Sequence, residues 1–215
     1  MDTENILNYL INISNANLLP NLLNHFIIYI ALILFFVLRF IGKIKAARIV
    51  RNVSVILLIL SIIGNALYYG NPFHLITFSV ILIFFIIFQK KALKENENFA
   101  TDKQNDIKDI AIIIISAIFI FLGVFYPEFV EVSIPQYLLF APVGIVPCPT
   151  LLVILGFFNL TLTKSDKKTE IAFIILTCVY AIIGTFIFKV YLDITLILLA
   201  IFSIINLFMH SERKN

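Results

Sequence analysis

Tryptophan is absent from this chain of 215 residues, and cysteine, methionine and histidine are scarce, with 2, 2 and 3 copies. Two cysteines, Cys148 and Cys178, are too few for a disulfide framework. Charge is sparse too, at 13% of residues, where soluble domains carry about 25%. Residues 1–20 hold Asp2 and Glu4 but no Lys or Arg, the reverse of the basic start of a secretory signal. The first apolar run is therefore expected to stay as a helix. No ionisable residue falls near the middle of a long apolar run. That argues against a proton pump, a carboxylate-coupled antiporter or a retinal protein, which need such groups at depth. Zinc-protease motifs, phosphate-binding loops and nucleophile–base pairs are missing as well, so no enzyme and no cofactor is expected.

What remains is apolar. Hydrophobic residues make up 61% of the chain and the mean hydropathy is +1.03, against about 45–50% apolar in soluble domains. The runs 23–42, 52–69, 73–89, 110–127, 146–163, 171–188 and 190–209 are each close to the length that crosses a bilayer, about 20 residues. The expectation is an all-α membrane protein of seven transmembrane helices, in one membrane domain over 23–209. Residues 1–22 form an outer interfacial amphipathic segment, with Ile6, Leu7, Leu10 and Ile11 on one helical face. Residues 210–215 form a cytoplasmic tail. The bilayer is the expected partner, self-association is compatible with it, and nucleic acid is not expected despite the net charge of +3.

The basic residues give direction. Of the 16 Lys and Arg residues, all but Lys189 fall in every second gap between the runs. Arg39, Lys43, Lys45, Arg48 and Arg51 fill 39–51, and five lysines fill 90–109. Lys164, Lys167 and Lys168 fill 164–170, and Arg213 and Lys214 end the chain. Cytoplasmic loops collect Lys and Arg, so the protein reads as N-out, C-in in the cell membrane. The polar stretch 90–109 reads as a linker or a helix extension without chemistry of its own. The first three and last three runs share a plan, and Ile-Ile-Gly recurs at 62–64 and 182–184. A 3+1+3 parallel repeat is compatible with that.

The most distinctive segment is 137–150, YLLFAPVGIVPCPT. Pro142, Pro147 and Pro149 supply no N–H, Gly144 adds freedom, and Pro149 suits a first helical turn. Cys148 then stands at a helix start, which favours a reactive or soft-metal-binding thiolate, while burial in a bilayer opposes it. Cys178 lies deeper by about ten residues, or roughly 15 Å, so a bridge between the two is not expected. Other polar groups cluster at outer helix ends: Asn65, Tyr68, Tyr69, His74, Tyr126, Glu128 and Glu131, with Lys189 and Asp193 at ion-pair spacing. These could line an outer vestibule, with Gly144, Pro147, Cys148, Pro149 and Thr150 as its motif. Cys148 with His74 and Glu128 or Glu131 is a weak metal candidate, without ligand spacing in its support. Thr177, Cys178, Asn159 and Asn206 read as bonds between helices.

Tyr126-Pro127, followed after a short segment by Gly144-Ile145-Val146-Pro147-Cys148-Pro149-Thr150, resembles a prokaryotic multi-pass membrane family of unknown function. Asn15 five residues before Pro20, Gly64 with Tyr68, and Asn71-Pro72 are similar too. The chain departs from that pattern in lacking tryptophan, in having Tyr69 where His is expected, and in having no Gly-His after Pro127. The resemblance implies fold and membership but no activity. The leading expectation is a small permease or channel-like transporter with an outer vestibule near Cys148. A membrane assembly, sensory or lipid-associated protein is the alternative, and a thiol-redox protein the third.

Overall fold

The computed structural model describes residues 3–94, 107–160 and 167–212. Most of the 90–109 stretch, residues 161–166 with Lys164, and Arg213 and Lys214 lie outside the described residues, as do the side chains of Ile6 and Leu7.

Helices α1 (Thr3–Ala16), α2 (Leu18–Phe40), α3 (Ile44–Tyr68), α4 (Pro72–Lys94) and α5 (Ile107–Val124) come first. A 3₁₀ turn (Ile134–Gln136) leads into the short α6 (Tyr137–Phe140). Then follow α7 (Pro147–Leu160), α8 (Lys167–Ile182), a π-turn (Ile183–Ile187), a 3₁₀ turn (Tyr191–Asp193) and α9 (Ile194–Glu212). The protein is all-α, with no strand among the described residues. Each of the seven expected runs falls on a helix. Five segments are long and apolar enough to cross a membrane: Leu18–Phe40, Ile44–Tyr68, Pro72–Gln89, Lys167–Ile187 and Tyr191–Met209. Two, Ile110–Val124 and Pro147–Leu160, are shorter.

The short α7 has a physical reason. Every residue from 141 to 160 is buried, so the helix is apolar all round because protein surrounds it. Non-helical backbone is tolerated beside it for the same reason, provided its polar groups are satisfied. Val143 N–H bonds Ala141 O at 2.7 Å, and Val146 N–H bonds Pro142 O at 2.9 Å. Gly144 N–H donates to Thr150 Oγ1 at 2.7 Å, and Asn24 Nδ2 donates to Val143 O at 2.8 Å.

Glycine sets the packing of α5 on α7. A Cβ on Gly123 would meet Pro149 O at 2.7 Å, and one on Gly156 would meet Ile120 Cγ1 at 2.6 Å. Such small residues let helix backbones approach closely. The surrounding helices turn apolar faces outward, Ile33, Ile76, Ile83, Ile175 and Ile201 among them. Faces of this size are a liability in water and are compatible with a lipid environment.

One expectation is corrected. The basic stretch 39–51 is mostly helix, because α3 begins at Ile44, and Arg48 and Arg51 are buried at 1% and 0% exposure. Glu170 and Asp193, near the ends of their apolar runs, are fully buried as well. Helix ends in this bundle tuck under their neighbours, which a linear count of apolar runs does not register.

Candidate functional site

Pro147 opens α7 and Cys148 follows it in the first turn. The turn before it is built by its own motif. Gly144 has φ +80°, and a Cβ there would lie 2.3 Å from Asn24 Nδ2, so both the conformation and the room call for glycine. Thr150 closes the turn: its hydroxyl accepts from Gly144 N–H and donates to Val146 O at 2.7 Å. The Gly-x-x-Pro-Cys-Pro-Thr spacing is thus a hydrogen-bonded helix start, docked on α2 through Asn24, which also bonds Ser61 Oγ at 3.0 Å.

That start aims Cys148 at Asp193. The thiol donates to Asp193 Oδ2 at 3.1 Å, and the Tyr126 hydroxyl donates to Asp193 Oδ1 at 2.5 Å. Cys148, Tyr126 and Asp193 are buried at 7%, 1% and 0% exposure. Among the described residues the carboxylate makes no ion pair. The expected Lys189–Asp193 pair is therefore a correction: Lys189 is exposed, in the left-handed region at φ 56°, while Asp193 turns inward. Phe129, also left-handed at φ 68°, stacks on Tyr126 with ring centroids 6.1 Å apart. Positive φ on a bulky residue is rare, and here it occurs on both sides of the cluster. Gly184, in the π-turn, makes the space: a Cβ there would fall 1.5 Å from Asp193 Oδ2.

A separate cavity of about 20 Å³ lies between α1, α3 and α4, lined by Tyr9, Asn65, Tyr69, Asn71, His74 and Ile145. Asn71 holds His74 in place: Oδ1 accepts from His74 N–H at 3.1 Å, and Nδ2 stands 3.2 Å from His74 Nδ1. Helix α1 roofs the cavity. Tyr9 donates to Tyr69 O at 3.0 Å, Asn17 to Tyr69 Oη at 2.7 Å, and Glu131 N–H to Asn15 Oδ1 at 3.1 Å. Burial and the neighbouring Tyr69 push the Tyr9 phenol above its ordinary value.

The sequence candidates thus divide. Asn65 and His74 line the cavity, Tyr126 and Cys148 meet on Asp193, and Gly144, Pro147, Pro149 and Thr150 build the turn. Tyr68 belongs to neither place: it is 82% exposed, and its neighbour Tyr69 takes the inner position. Both thiols are free. Among the described residues no three of His, Cys, Asp and Glu gather as a metal site. Asn159 and Asn206 do bond between helices, Asn159 to Ser203 at 2.7 Å and Asn206 to Asn159 at 2.9 Å.

Sequence reading missed His25, which is fully buried with Nδ1 2.8 Å from Asn21 O and Nε2 3.2 Å from Val124 O. It joins α2 to the end of α5. It also missed the group around Arg51. Arg51 Nε and Nη2 bond Asn52 Oδ1 at 2.9 and 2.7 Å, Asn52 bonds Gln89 at 2.9 Å, and the guanidinium lies 4.6 Å from the Phe158 ring centroid. A polar residue inside an apolar run was the available signal for His25. No family profile, curated protein or solved structure matches this chain.

Proposed function

We propose that this protein is a small permease, crossing the cell membrane seven times with its N-terminus outside and its C-terminus in the cytoplasm. The observation that carries the reading is the small cavity under α1, where Asn65, Asn71 and His74 interrupt an otherwise mostly apolar lining that includes Leu10, Ile13 and Ala66. It adjoins the Pro-Cys-Pro turn in a bundle whose outward faces are apolar. Asn65 and His74 form its polar wall, and α1 is its lid. Seven crossings follow if α5 and α7 traverse the bilayer short as they are, α7 enclosed by protein and α5 with Ile110, Ile114, Ile118 and Phe121 facing outward. The basic residues other than Lys189 then lie on the cytoplasmic side. The Gly144–Thr150 motif supports membership of the prokaryotic membrane family it resembles.

The test is stopped-flow light scattering on liposomes holding the purified protein, challenged with neutral, cationic and anionic small solutes. At least one class should equilibrate faster than in protein-free liposomes, and Tyr9→Phe with Asn17→Ala should increase that rate by freeing the lid. Permeability equal to protein-free liposomes for all three classes removes the permease reading. Thiol labelling of single cysteines placed at 70–72 and at 164–168 tests the topology. The first set should label from outside and the second from the cytoplasm.

A second reading is favoured by α7. A helix buried over its whole length, beside a cavity with room for about one water, suits a non-transporting membrane assembly or lipid-associated factor. In that case the proline motif is architectural and the liposomes stay tight.

A further inference from the structure

We propose that Asp193 is a reversible proton-binding site, with Tyr126 and Cys148 as the groups that hold its carboxyl in both protonation states. Proton binding here does not rest on the permease reading.

The donors around the carboxylate select the ligand. Both carboxylate oxygens are engaged, Oδ1 by a phenol O–H and Oδ2 by a thiol S–H. These groups direct hydrogens at the carboxylate. A metal cation needs several oxygen lone pairs around it, and no gathering of metal-binding side chains occurs among the described residues. A proton needs one lone pair. Phenol and thiol can each accept as well as donate, so when Asp193 is protonated it can donate to a partner that now accepts. The carboxyl keeps two hydrogen bonds, one of them reversed in direction, while the buried charge is removed.

The surroundings make that charge consequential. A buried carboxylate is normally paired with a cation. Asp193 has none among the described residues. The titratable groups facing it are Cys148 from α7, Tyr126 and Glu128 from the segment after α5, and, beyond Cys148, Tyr180 from α8. Glu128 adds negative charge, and Lys189 in the preceding turn is exposed and unpaired with it. On the cavity side, His74 borders the cavity and its ring is 5.8 Å from that of Tyr180, whose buried hydroxyl makes no well-formed hydrogen bond among the described residues.

The experiment is acid-minus-base infrared difference spectroscopy of the full-length protein in phosphatidylcholine vesicles, which needs no reagent to reach the site. A carboxylic C=O band should appear in acid, shift in heavy water, and vanish in Asp193→Asn. Because that variant removes a buried anchor, Tyr126→Phe is the second test. Loss of one donor to the charged form should raise the ratio of protonated to ionised Asp193 at neutral pH about tenfold. Sodium, potassium or lithium bleaching the band at fixed pH would reassign the site to a metal cation and overturn the proposal. A carboxyl that does not titrate, or a band untouched by Tyr126→Phe, overturns it equally. A titrating Asp193 in liposomes that pass no solute retains this site and removes the permease. Solute flux without a titrating Asp193 does the opposite.

Discussion

The two ends of α7 are held by opposite chemistry. At the end, Arg39 Nη1 donates to Leu160 O at 2.8 Å, placing a cation on the helix's negative pole. Nearby, Arg51 spreads its charge over the Asn52 amide and the Phe158 ring. At the start, Cys148 meets a carboxylate that has only two neutral donors. A guanidinium keeps its proton throughout the physiological range, so the arginine end has one charge state. The carboxylate end can have two without losing its hydrogen bonds. The same helix therefore couples a fixed anchor to a group that can change, and the difference lies in side-chain chemistry rather than in burial.

The strongest way to break this comparison is Gly184→Ala. The new Cβ would overlap Asp193 Oδ2, so the carboxylate that Cys148 and Tyr126 hold must shift. Overpacking on that scale costs about 3 kcal/mol, read as a lower thermal midpoint in detergent. Maleimide labelling of Cys148 should rise in the same variant, because its thiol loses its partner. Next in size is Arg51→Leu, which leaves Asn52 Oδ1 without its donor and Phe158 without its cation. A loss of about 2 kcal/mol is expected, with Cys148 labelling unchanged. If Arg51→Leu exposed Cys148 as strongly as Gly184→Ala does, the two ends would be one unit and the contrast would fall.

The sequence was legible where hydropathy alone decides. All seven apolar runs lie on helices, and the Pro-Cys-Pro segment does start one at Pro147. The local spacing of Gly144 and Thr150 also carried real geometry. What could not be read was which ends tuck inward. Asp193 and Lys189 have helix-pair spacing, yet the chain between them leaves the helix at Phe188, and the two side chains part. The two Ile-Ile-Gly triplets look alike in sequence. A Cβ on Gly64 would meet nothing within 4 Å, whereas one on Gly184 would strike Asp193. Their difference arises from a partner nine residues further along, held in place by helices far away in sequence. Arg51 reads as loop charge for the same reason: it is covered by Phe158 of α7 and tied through Asn52 to Gln89 of α4.

The smallest effect sharpens the comparison most. Thr150→Val keeps the shape of the side chain but removes the oxygen that accepts from Gly144 N–H, leaving one buried donor unmet. The cost should be about 1 kcal/mol, a modest drop in thermal midpoint. The turn is also tied through Asn24 to Val143 and by backbone bonds at Pro142, so the fold should stand. The informative readout is then the Asp193 band. Thr150 lies two residues from Cys148 and touches neither Asp193 nor Tyr126. If the motif exists to aim the thiol, loosening it should change the Asp193 band while Tyr126 remains in place. If the motif is purely architectural, stability should fall by the same small amount and the band should stay where it was.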